Sequence, residues 1–80
     1  MTDTGPTLAI IKEVINTCPI KNIPIDIAYR QEDKLWSLII EGENTRHLSV
    51  EDNVKLYTWA MNASRVLHEQ FEINAQWVRR

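Results

Sequence analysis

Residues 23–41 read IPIDIAYRQEDKLWSLIIE, and their alternation decides the fold. Ile23, Ile25, Ile27 and Tyr29 alternate with Pro24, Asp26, Ala28 and Arg30, the two-residue period of a strand. Gln31-Glu32-Asp33-Lys34 supplies a polar turn, and Leu35 to Glu41 is a second strand. Setting Arg30 opposite Leu35 aligns Tyr29 with Trp36, Ile27 with Leu38 and Ile25 with Ile40. Six large apolar side chains then share one face. The other face pairs Asp26 with Ile39 and Ala28 with Ser37, and a slip of one residue would mix the two faces. The stretch predicts an antiparallel hairpin with one core face and one half-wet face.

On its N-terminal side, Pro6 to Thr17 reads as a helix. Proline suits a first helical position because its missing N–H has no partner there anyway. Leu8, Ile11, Val14, Ile15 and Cys18 follow the spacing of one apolar face. Cys18-Pro19 ends the helix, because the residue before proline avoids the helical basin. Residues 1–5 are small and polar and are expected to fray.

On the C-terminal side, Gly42 to His47 reads as a loop, and Ser49 with Asp52 three positions on resembles a capping box. The helix it opens runs to Gln70 or Glu72, roughly 33 Å at 1.5 Å per residue. The tail, Phe71 to Arg80, fits both periods. Phe71, Ile73, Ala75 and Trp77 alternate as in a strand; Phe71, Ala75 and Val78 fit a helix. No Gly or Pro separates the tail from the helix, so a bent helical continuation is preferred and a third strand is the alternative. The expected fold is α+β: two layers in the order helix–strand–strand–helix, with both helices on one face of the hairpin.

The chain is 80 residues, which fits one small domain. A net charge of −2 with 44% apolar and 25% charged residues is the mix of an ordinary globular domain and excludes an intrinsically disordered protein, a collagen-like chain and a polyanionic tail. One cysteine, Cys18, offers no intrachain disulfide, which points to a reducing, cytoplasmic setting. No apolar run approaches the roughly 18 residues that span a bilayer, and Met1 to Thr7 lack the regions of a signal peptide. No membrane partner is expected.

The second helix holds the residues of most functional interest. At 100° per residue, Leu56, Ala60, Ala63, Leu67 and Phe71 form one stripe and Val50, Val54, Tyr57 and Met61 the adjacent one. Trp59 and Val66 lie beyond it, widening the apolar arc well past that of a typical surface helix. Such an arc can be covered in two ways. In one, the first helix covers one flank and the tail the other, with Trp77 near Trp59. In the preferred one, Trp59, Asn62 and Val66, joined by Lys55 and Trp77, form a partner-binding stripe. Tryptophan is enriched at interface hot spots, and a homodimer is the simplest partner because one stripe serves both copies. A free edge along Leu35 to Ile40 would offer a second route.

Other chemistry has little support. His68 sits in the apolar arc and reads as a shielded core imidazole, with a pH-sensitive contact as the secondary expectation. His68 and Glu72 lack further ligands of metal spacing. Cys18 closes a helix at its negative end, which disfavours a thiolate. No phosphate loop, serine elbow or H-E-x-x-H is present. No catalytic residue, metal or cofactor is therefore assigned. Asn62-Ala63-Ser64 matches a glycosylation sequon but lies inside the helix.

A nucleic-acid-binding accessory would need Arg30, Lys34, Arg46, Arg79 and Arg80 to converge, and the half-wet sheet face lacks exposed aromatics. The expected function is a small, non-enzymatic, self-associating interaction or regulatory protein. A structural subunit of a larger complex is the other alternative.

Overall fold

The computed structural model describes residues 4–80. Helix α1 spans Thr4–Ile15, strand β1 Ile25–Arg30 and strand β2 Leu35–Ile40. A single turn, α2, covers Gly42–Thr45, the long helix α3 Val50–Phe71, and strand β3 Ala75–Arg79. The chain is α+β. The expected fraying of residues 1–3 lies outside the described residues, whereas Thr4 and Gly5 already belong to α1. The loop expected at 42–47 contains a helical turn.

The hairpin register is the one derived from the apolar pattern: Ile25 faces Ile40, Ile27 faces Leu38, Tyr29 faces Trp36 and Arg30 faces Leu35. The rings of Tyr29 and Trp36 lie 4.5 Å apart. Lys34 closes the turn with φ of 55°, and Arg30 grips Asp33 with two parallel bonds, Nε to Oδ1 at 3.0 Å and Nη2 to Oδ2 at 2.5 Å.

The tail corrects the expected helical continuation. Ala75–Arg79 is a strand, and it pairs parallel to β2, with Trp36 opposite Ala75 and Leu38 opposite Trp77. The sheet order is β1-β2-β3, so Leu35–Ile40 is the central strand and offers no free edge. The reversal after α3 needs a left-handed residue, and Glu72 takes that conformation at φ 56°. Its N–H donates to the His68 carbonyl, and the Ile73 N–H donates to that of Leu67 at 3.0 Å. Glycine or asparagine usually marks such a helix end; glutamate gives no such signal. A helix returning the chain to lie parallel to the strand it left is the βαβ connection.

Ile11 of α1 and Leu67 of α3 join Trp36, Leu38 and Ile73 in one buried cluster, so both helices pack on the same face of the sheet. Ser49 caps α3, its Oγ accepting from the Asp52 N–H at 3.1 Å. At the far end of the sheet, the Gly42 N–H donates to the Arg80 carbonyl at 2.6 Å, and a Cβ at Gly42 would meet that oxygen at 2.7 Å. This close approach requires glycine.

Candidate functional site

The strands are six residues or shorter, about 20 Å at 3.3 Å per residue, and cannot underlie the whole of a helix roughly 33 Å long. Leu56, Ala60, Ala63 and Leu67 are buried along the face of α3 that meets the sheet. The two flanks of that face differ in what covers them.

The flank carrying Trp59 and Val66 is the covered one, which corrects the exposed stripe expected there. Both residues are half-buried. Trp59 Nε1 donates to Thr17 Oγ1 at 2.9 Å, just beyond α1. Its ring meets Trp77 edge-on at 5.4 Å, and Trp77 Nε1 donates to the Ala60 carbonyl at 2.8 Å. These three contacts tie α1, α3 and β3 together, which is a structural task. Asn62 is exposed, its Oδ1 accepting from Arg65 Nη2 at 2.6 Å, and Lys55 is exposed on the outer surface. Trp59, Asn62, Val66, Lys55 and Trp77 therefore do not form one free surface.

The excess apolar surface lies on the opposite flank. Val50 is 82% exposed, Val54 59%, Tyr57 61% and Met61 71%. They recur at intervals of four, three and four residues, so they stand in one line along the helix. Ser64, His68 and Phe71 continue the same line. This heptad spacing is present in the sequence, but the pattern alone presents the four residues as a shoulder of the core. Beside Tyr57 an apolar groove of about 190 Å³ opens between α3 and β3, lined by Leu56, Ala60, Trp77, Val78 and the rim residues Asn53 and Arg79. Arg79 also donates to the buried Thr45 Oγ1 at 2.8 Å, fixing α2 against β3.

His68 is exposed, correcting the expected shielding, because its position on the wheel falls on this open flank. It lines a shallow depression with Asp33, Leu35, Ser64, Asn74 and Ala75. Serine, histidine and aspartate meet there, but not as a relay. Ser64 Oγ is buried with no hydrogen-bond partner among the described residues, and the Asp33 carboxylate is held by Arg30. That hydrogen bond, with the Arg30 charge, holds the Asp33 carboxyl below the ordinary aspartate range despite some desolvation.

Cys18 is half-buried, its Sγ 3.3 Å from the Ile20 carbonyl oxygen. Among the described residues no group of three His, Cys, Asp or Glu side chains converges as a metal site, and no helix is long and apolar enough to cross a membrane. The basic residues divide. Arg30 and Lys34 flank the hairpin turn, whereas Arg79 ends β3 opposite Ile40, Arg80 follows it and Arg46 caps α2; Arg79 thus lies roughly 16 Å from Arg30 along the sheet.

Compared with protein-family models, curated proteins and solved structures, the chain has no match.

Proposed function

We propose that this chain is a small, non-enzymatic interaction or regulatory module that engages a protein through the outward flank of α3. The observation that carries this reading is the line Val50, Val54, Tyr57 and Met61, each well over half exposed. Scattered surface hydrophobics are ordinary; four in register on one helix are the anchor pattern of helix-mediated docking. The groove beside Tyr57 supports the same reading. At about 190 Å³ it is smaller than the roughly 300–1,000 Å³ of metabolite pockets, and it suits one or two inserted side chains. A cytoplasmic setting and a subunit role in a larger assembly are both compatible with this surface.

Site-specific photo-crosslinking in cells tests the reading. A benzophenone side chain in place of Tyr57 should give a discrete protein adduct, and the same group at Arg30 should give none. No adduct from Tyr57 removes the proposal.

A further inference from the structure

We infer that the occupant of this flank is a second copy of the chain, its α3 lying antiparallel to the first. The inference rests on the interaction reading above and adds the partner and its orientation.

The intervals of four, three and four residues are those of the a and d positions of a heptad, the spacing that keeps one seam facing a partner helix. With Val54 and Met61 as a positions and Val50 and Tyr57 as d positions, an antiparallel two-fold arrangement sets Val50 against Met61 of the other copy. It likewise sets Val54 against the other copy's Tyr57. Every layer then joins one valine to one longer side chain, so the layers fill evenly. A parallel pair would stack Tyr57 on Tyr57 and leave Val50 facing only Val50.

Charge favours the same orientation. The residues flanking the seam on its solvent side, the e positions, are Glu51, Thr58 and Arg65. In antiparallel helices e positions face e positions, which brings Glu51 of each copy within side-chain reach of Arg65 of the other. They stand about five residues apart along the axis, roughly 7.5 Å, a gap that glutamate and arginine close together. The opposite flank, the g positions, consists of Asn53, Ala60 and Leu67, of which Ala60 and Leu67 are buried within the protomer. A parallel pair, which sets e against g, would find no ionic complement there. Arg65 is free to exchange partners: its present contacts, Asn62 at 2.6 Å and Glu69 at 4.0 Å, are exposed pairs within one helix.

Sedimentation equilibrium of the full chain tests this, with circular dichroism confirming that each variant folds. The wild type should be a dimer at micromolar concentration, and Met61→Glu a monomer. Glu51→Arg and Arg65→Glu each place like charges across the seam and should weaken dimerisation by at least about tenfold. An equal mixture of these two variants should regain wild-type affinity. In the mixed dimer the arginine introduced at position 51 of one copy meets the glutamate introduced at position 65 of the other. At the opposite end the native Arg65 and Glu51 pair as before. A wild type that stays monomeric at high micromolar concentration overturns the inference. So does a dimer that ignores the single charge reversals, or a mixture that fails to recover. If the wild type is monomeric while the Tyr57 crosslinker captures a different protein, the second copy is excluded and the interaction reading stands. If no adduct forms either, both fail.

Discussion

Replacing Ser64 by alanine should stabilise this protein. Ser64 lies in the middle of α3, and its Oγ is buried with no hydrogen-bond partner among the described residues. A helical serine usually returns its hydroxyl to the carbonyl four residues back. Here that carbonyl belongs to Ala60 and already accepts the Trp77 indole N–H at 2.8 Å. Leaving a hydroxyl unsatisfied costs about 1–3 kcal/mol, and serine is roughly 0.5 kcal/mol poorer than alanine in a helix interior. The void left by one oxygen offsets a few tenths of this. A net gain of about 1–2 kcal/mol follows, which in an 80-residue domain raises Tm by roughly 5–15 °C. Urea unfolding followed by tryptophan fluorescence should show the midpoint raised by about 1–2 M with an unchanged slope. Protein concentration must be held constant, since self-association alone would move the midpoint. An unchanged or lowered midpoint at constant slope would refute the reasoning and would mean that the hydroxyl is satisfied by water.

Other perturbations probe the remaining joints. In a double-mutant cycle, Trp59→Phe and Thr17→Val should each cost about 1 kcal/mol, with a coupling of roughly 0.5–1.5 kcal/mol; additive effects in denaturant titration would remove the indole–hydroxyl bond as a tie between α1 and α3. Glu72→Gly relieves a left-handed backbone and should add about 0.5–1 kcal/mol, read as a higher thermal midpoint, with a drop counting against the assigned conformation. The Asp33 carboxyl is held low by its hydrogen bond from Arg30. Its stabilising effect is therefore present above the ordinary aspartate value of about 3.9 and is lost as the pH falls through the lower folded value. Wild type and Asp33→Asn should differ slightly at neutral pH and converge in strong acid, and a gap that persists there would contradict the pairing.

The hairpin was legible in the sequence because a two-residue period leaves little freedom: once Tyr29 is set against Trp36, every other pair follows. The start of α3 was legible for a local reason as well, the cap at Ser49. The third strand was not, because the reversal is performed by Glu72, whose side chain carries no preference for the left-handed basin it occupies. The apolar excess on α3 was legible in amount but not in direction. A helical wheel orders side chains by angle and is silent on which flank a neighbouring helix crosses. Thr17 meets Trp59 from across a separation of 42 residues, a contact that no local period encodes. The conspicuous tryptophan belongs to the covered flank, while the plainer valines, tyrosine and methionine stand in the open.

The parallel pairing of β3 with β2 orders events during synthesis. β2 leaves the ribosome before α2 and α3, and its natural neighbour on one side emerges only after both. In that interval Leu35-Trp36-Ser37-Leu38-Ile39-Ile40 presents an unprotected rim of backbone donors and acceptors on an unusually sticky segment, a template for foreign strands. Nascent chains are therefore most exposed to misassembly between the emergence of β2 and that of β3, and this last-paired strand closes the sheet as well as completing its core.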